Sequence, residues 1–267
     1  MNGTLLLQTW RWQLVRFVVL LLAAFGWGWL IVFIFTTFSP AVRELLETNP
    51  MFEQLSRFGS GNFFSLEGSL TLGFQHPFLI AILGVIAAGS TAAAIAGERQ
   101  RGTLEVLLAR PISRRAAYAS IALALFVLVA VLVAAAIGGM VVGLNVHDVG
   151  EEIDLAGLPL VFANGALLWI AFAAYGLAAS VSFDRAGPAL GVSLAFLIAN
   201  YFVEILGSLW TDVAWSQEYS LFHHFQPEEI LTGGADPIDL VIVGVAALVP
   251  MIYALIVFPR RDLAAPS

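Results

Sequence analysis

Apolar residues run along this chain in long blocks, not in the alternation of a half-buried strand or the every-third-residue spacing of a surface helix. Six stretches carry no charge: 17–38, 77–97, 116–146, 155–183, 186–203 and 240–259. An apolar helix of about 20 residues rises ~30 Å, the thickness of a bilayer's hydrocarbon core. The pattern predicts an all-α integral membrane protein whose single domain, 1–267, crosses the bilayer six times. The spans are placed at about 17–38, 77–97, 118–143, 159–182, 186–204 and 240–259. Gly143 and Asn145 mark the exit of the third span, and Pro159 suits the first turn of the fourth. Pro250 predicts a kink in the sixth. Gly139 and Gly143, four apart, make a candidate close helix contact.

The segments between the blocks are short. Residues 2–14 place Leu5, Leu6, Trp10 and Leu14 around Arg11, which predicts an amphipathic helix lying in the interface with Trp10 and Trp12 at headgroup level. The connection 39–76 predicts a helix after Pro40 and a Gly/Ser break at 59–61. The stretch 204–239 is acidic, and its half-apolar part, Ile205 to Trp215, is expected to lie on the membrane or dip into it.

Composition supports lipid as the solvent. Hydrophobic residues make up 60% and charged residues 12%, about half the charge a water-soluble surface requires, roughly 25%. Cysteine is absent, which excludes disulfides and thiolate metal sites. Lysine is absent too, so all twelve basic residues are arginine. The first residues do not read as a cleaved signal peptide, because the apolar run from Phe17 to Phe38 is long and lacks a small-residue cleavage site. With a cytoplasmic N-terminus, Arg11, Arg16, Arg99, Arg101, Arg110, Arg114, Arg115, Arg185, Arg260 and Arg261 fall inside, and only Arg43 and Arg57 outside. Ten against two predicts both termini in the cytoplasm. The acids divide the other way, so the net charge of −7 describes neither face and gives no nucleic-acid surface.

The informative connection is GERQRGTLEVLLARPISRR, 97–115, between spans two and three. Leu104, Leu107 and Leu108 fall at i, i+3 and i+4, giving a short helix with one apolar face. Glu98, Arg99, Arg101 and Glu105 surround it with charge. Pro111 stops it near Arg110, and Ser113 can cap the third span. Such a helix either rests its leucines on lipid or inserts them into a cytoplasmic partner.

The same string resembles the signature of the ABC type-2 permease family, E-x-x-x-G-T-L-E-x-L-L-x-x-P-x-S-R, at Glu98, Gly102, Thr103, Leu104, Glu105, Leu107, Leu108, Pro111, Ser113 and Arg114. GFQHP at 73–77, LFHHFQPEEILTGG at 221–234 and FPRRDL at 258–263 extend the resemblance over most of the chain. It implies the permease subunit of an exporter in a prokaryotic inner membrane. The permease would be a homo- or heterodimer coupled to a separate ATPase subunit in two copies. It also makes 98–111 a coupling helix, with Arg101 and Arg110 among its docking residues. The short connection before span five, with Asp184 and Arg185, becomes a second cytoplasmic contact.

No cofactor is expected in the chain itself. Without lysine it has no G-x-x-x-x-G-K-[ST] loop, so ATP would bind the partner. His223 and His224 with Glu228 and Glu229 form a weak metal candidate, because adjacent histidines diverge and no third ligand is fixed. Glu204, at the outer end of span five, is expected to be solvated. Asn164, Asn200, Ser90 and Thr91 are expected to bond backbone or neighbouring helices. A secondary transporter would want paired ionisable groups at mid-bilayer. A non-transporting anchor or sensor would leave the docking helix unexplained.

Overall fold

A computed structural model describes residues 3–37, 65–109, 112–150 and 154–261. The expectations for a helix after Pro40, the break at 59–61, and residues Arg110 and Pro111 lie outside the described residues. The elements in order are α1 (Gly3–Thr37), α2 (Leu66–Gln75), α3 (Pro77–Gly84), a π-helical turn (Val85–Ser90), α4 (Thr91–Gln100), α5 (Leu104–Leu108) and α6 (Arg114–Val146). After them come α7 (Leu158–Ser182), α8 (Ala186–Leu209), a 3-10 stretch (Thr211–Tyr219), α9 (Pro227–Leu231) and α10 (Pro237–Arg260). Among the described residues there is no strand. Six helices are long and apolar enough to cross a membrane: Leu7–Thr37, Pro77–Gln100, Arg114–Val146, Leu155–Ser182, Ala186–Leu209 and Pro237–Arg260. The protein is a multi-pass membrane protein.

Local signals explain the ends. The Ser113 hydroxyl accepts from Ala116 N at 3.2 Å and caps α6. Proline stands in the first turn of α3, α7 and α10. α6 runs on to Val146, past the exit expected at Gly143 and Asn145, and α10 continues through Pro250. The expected interfacial helix at 2–14 is instead continuous with the first span. Nothing between Leu14 and Phe17 breaks a helix, and the Trp10 indole donates to the Ala124 carbonyl at 3.0 Å, which ties this end to α6.

The tightest packing joins α1 to α6, which run parallel. A Cβ on Gly28 would overlap the Ala136 carbonyl oxygen, and one on Gly139 the Phe25 carbonyl oxygen. A Cβ on Gly143 would sit 2.9 Å from the Val32 Cβ. The pair expected at Gly139 and Gly143 is therefore a backbone-to-backbone contact, completed by Gly28. In lipid, where apolar burial gives helices little reason to associate, such close approach supplies the dispersion that does. Gly176 of α7 does the same against Thr91 of the second span.

The two ends of the bundle are held differently. At the arginine-rich end, Asp184 pairs with Arg99 at 3.2 Å and with Arg261 at 2.7 Å. Arg114 donates to the Arg261 carbonyl at 2.8 Å, and Gln100 Oε1 accepts from Ala186 N at 3.0 Å. One knot thus joins the ends of spans two, three, four, five and six.

At the opposite end the chain from Ser220 to Gln226 folds back into the bundle, and Phe222 and Phe225 are fully buried. Its backbone lacks helical partners, so side chains of the spans supply them. Asn200 Oδ1 accepts from Leu221 N at 2.9 Å, Asn164 donates to the His224 carbonyl at 3.1 Å, and Gln75 to the Phe225 carbonyl at 3.2 Å. This meets the rule that irregular backbone at membrane depth must be satisfied by protein. α2, within the connection 39–76, is a buried helix capped by Ser65, and its Thr71 accepts from Glu228 N at 2.9 Å.

Glu204 corrects the sequence reading. It is 4% exposed, because Gln217 from the returning chain covers it and donates to Oε1 at 2.9 Å. His223 Nδ1 lies 3.9 Å from the same oxygen. His224 faces elsewhere, bonded to Asp239 at 2.7 Å and near the Glu218 carbonyl. Among the described residues no three metal-ligating side chains converge.

Two predictions follow from this packing. Gly139→Ala should force α1 from α6 and lower the melting temperature in detergent by several degrees. Gly138→Ala next to it meets nothing nearer than 3.9 Å, so it should be neutral or slightly stabilising, since alanine is favoured over glycine in a helix by about 1 kcal/mol. Equal melting of the two variants would refute the contact. The second concerns pH. The Glu204 carboxylate, helped by Asp239 and Glu218, holds the His223 pKa above its ordinary 6.5 despite burial. A raised folded-state pKa stabilises fully below about 6.5 and ceases to as pH rises through the folded value. The melting-temperature gap between wild type and His223→Gln should therefore be widest near pH 5.5 and close on the alkaline side. A gap independent of pH would exclude the pair.

Candidate functional site

The connection 97–113 sits at the arginine-rich end and folds as a clamped turn followed by α5. The Glu98 carboxylate is the organiser. Oε1 pairs with the Arg101 guanidinium, and Oε2 accepts from the Thr103 hydroxyl at 2.5 Å. The Glu98 carbonyl accepts from Thr103 N at 3.0 Å. Between these residues Gly102 has φ +71°, a left-handed conformation that costs a residue with a Cβ about 1–2 kcal/mol. The glutamate, the glycine and the threonine are thus parts of one turn that reverses the chain as it leaves the second span. Glu98 itself is buried, 8% exposed.

α5 spends its leucines on its own protein. Leu104 is buried in the bundle core, and Leu107 and Leu108 are half-buried against it. Within the chain, the i, i+3, i+4 stripe is thus the face by which five residues of helix hold onto the bundle. The opposite face is open. Gly102, Thr103, Glu105 and Ala109 are exposed, and Val106 is 71% exposed. Sequence reasoning passed over Val106, although an apolar residue opposite a leucine stripe on so short a helix was the available signal.

The second predicted contact lies beside it. Asp184 is tied into the arginine knot with its carboxylate half exposed, while Arg185 is exposed at the start of α8. The Asp184–Arg99 pair and the bond from Gln100 to Ala186 N put this connection directly against the end of the second span. The two predicted docking connections therefore form one continuous surface at one end of the bundle.

A sequence profile of ABC-2 family transporter proteins matches residues 8–263. The chain belongs to this family. It is thus a membrane permease component of an ABC transporter. No curated protein and no solved structure matches it significantly. In this ABC-2 chain the turn at Glu98 is clamped by side-chain hydrogen bonds, and one side of α5 is exposed at the arginine-rich end.

The clamp is testable by proteolysis at Arg101, next to Gly102. Gly102→Ala and Glu98→Ala should speed tryptic cleavage there in detergent, by about tenfold for each 1.4 kcal/mol of turn stability removed. Glu105→Ala, outside the clamp, should leave the rate unchanged. A Glu98→Ala rate equal to wild type would remove the carboxylate from its organising role.

Proposed function

We propose that this chain forms half of the translocation path of an exporter in a prokaryotic inner membrane, pairs with a second permease subunit, and is driven by two copies of a separate ATPase docked at its arginine-rich end. The observation that carries the reading is α5, anchored by Leu104, Leu107 and Leu108 and open along Glu105, Val106 and Ala109. The clamp of Glu98, Arg101, Gly102 and Thr103 would pass the partner's movement into the second span, with Asp184 and Arg185 as the adjoining contact. The lack of lysine supports a separate ATPase, because a phosphate-binding loop needs one. Pairing is supported by α8, where Gly187, Gly191, Ala195 and Ala199 recur every fourth residue on an exposed face. The arginine count supports a cytoplasmic placement of the docking end.

The docking test targets the exposed side of α5. Val106→Asp places a charge in the proposed interface, where an unpaired buried polar group costs roughly 2–7 kcal/mol, so the ATPase should no longer co-purify while the permease still folds. Leu107→Asp should act on the permease's own stability instead. Retention of the ATPase by Val106→Asp would overturn the assignment. A purified chain active in liposomes without any ATPase would instead favour a proton-coupled carrier built on Glu204, whose Oε2 is buried without a hydrogen bond.

Orientation is checked with single cysteines, which need no background removal. In intact cells, Asp212→Cys and Glu229→Cys should react with an impermeant thiol reagent, and Glu105→Cys and Arg185→Cys should not. Labelling at 105 would invert the topology.

A further inference from the structure

A slot of about 230 Å³ opens between the first, second and third spans near the arginine-rich end. Gln8, Gln13, Arg16, Ser90, Glu98 and Arg101 give it a polar lining inside otherwise apolar helices. Arg16, itself exposed, donates to the Ser90 hydroxyl at 3.3 Å, and Ser90 Oγ lies 3.3 Å from Gln13 Oε1. Ser90 is buried and closes the π-helical turn, ten residues before Gln100. At 1.5 Å per residue that puts the Arg16 guanidinium roughly 15 Å in from the end of the span.

The charges in the slot do not balance. Glu98 is taken by Arg101 and Thr103, and among the described residues no carboxylate lies within ion-pair distance of Arg16. An arginine at this depth is costly unless an anion or water meets it. Its planar fork suits the oxygens of a phosphate. Beside Arg16 and onward along α1 the surface is an apolar stripe, with Val15 79%, Val19 61% and Leu22 65% exposed. Trp12 stands 67% exposed at the slot's rim. A cation below an exposed apolar stripe fits a molecule with a phosphate head and an acyl tail.

We propose that the slot binds the phosphate of an anionic phospholipid from the leaflet at the arginine-rich end. Arg16 holds the phosphate, Gln13 and Gln8 supply hydrogen bonds, and the acyl chain lies along Val15, Val19 and Leu22. Because Glu98 and Arg101 form the slot's other wall, the bound lipid braces the turn before α5. That the leaflet is the cytoplasmic one rests on the orientation proposed above; the binding itself does not.

The test uses the full chain in neutral detergent, with native mass spectrometry to count retained lipid and a lipid titration read by melting temperature. Phosphatidylglycerol should saturate at one tightly held molecule per chain and raise the melting temperature. Arg16→Gln should weaken this at least about tenfold, equivalent to 1.4 kcal/mol. Arg16→Lys, which keeps charge but loses the fork, should fall between them. Arg11→Gln, at an exposed arginine outside the slot, should bind like wild type. Inorganic phosphate and glycerol phosphate should not reproduce the shift; if they do so through Arg16, the slot takes a soluble phosphate-bearing ligand in place of lipid and the lipid assignment falls. Phosphatidylglycerol binding that survives Arg16→Gln unchanged, or is lost equally in Arg11→Gln, would reduce the effect to general attraction and overturn the site. The result is independent of whether Val106→Asp releases an ATPase.

Discussion

The approach of α1 to α6 is the contact on which the rest of the arrangement depends. Gly28 against the Ala136 carbonyl and Gly139 against the Phe25 carbonyl leave no room for a single methyl group. Lipid tails are as apolar as leucine, so spans associate through close packing and hydrogen bonds and not through escape from the solvent. Because the two helices run parallel and touch backbone to backbone, the N-terminal end of α1 is carried alongside α6, and Trp10 reaches Ala124. That placement forms one wall of the polar slot and brings Arg16 to Ser90. Were α1 one side-chain layer further out, the slot between it and the Glu98 turn would be an open groove.

The two ends of the bundle use polar chemistry for different purposes. At one end Asp184 gathers Arg99 and Arg261, while Arg114 caps the carbonyls at the close of α10. The Asp184 carboxylate stands half in solvent, while the Arg99 side chain it holds is 10% exposed. At the other end Asn164, Asn200 and Gln75 satisfy a backbone that re-enters the bundle, and Phe222 and Phe225 fill the core behind it. Leaving those groups unpaired in a dry interior would cost roughly 1–3 kcal/mol each. The opposite end is thus held by buried hydrogen bonds, and the arginine-rich end by ion pairs around Asp184.

α5 shows how a helix too short to be stable alone is held in place by its neighbours. Five residues close barely one turn, and isolated helices of that length do not persist in water. Its order comes from Leu104 in the core below and from the Glu98 clamp before it. The consequence is a division by face: leucines inward against the bundle, Glu105 and Val106 outward and exposed.

The sequence by itself determined that the protein is helical, crosses the membrane six times, and gathers most of its arginines in the connections at one end of the bundle. Each of these is set by local composition, since a 20-residue apolar block has few alternatives in lipid. The family signature was legible at Glu98, Gly102 and Thr103 because a tight turn is also a local object. What only the tertiary structure decided were matters of facing. Leu104, Leu107 and Leu108 read as an apolar face, yet nothing local says whether the bundle or a partner receives it. Glu204 read as solvated because Gln217, thirteen residues on, had not yet been seen to fold over it. Arg16 read as one anchor among ten until Ser90, seventy-four residues away, was found across from it. Spacing along a chain fixes which residues share a helix face, and only packing fixes what that face meets.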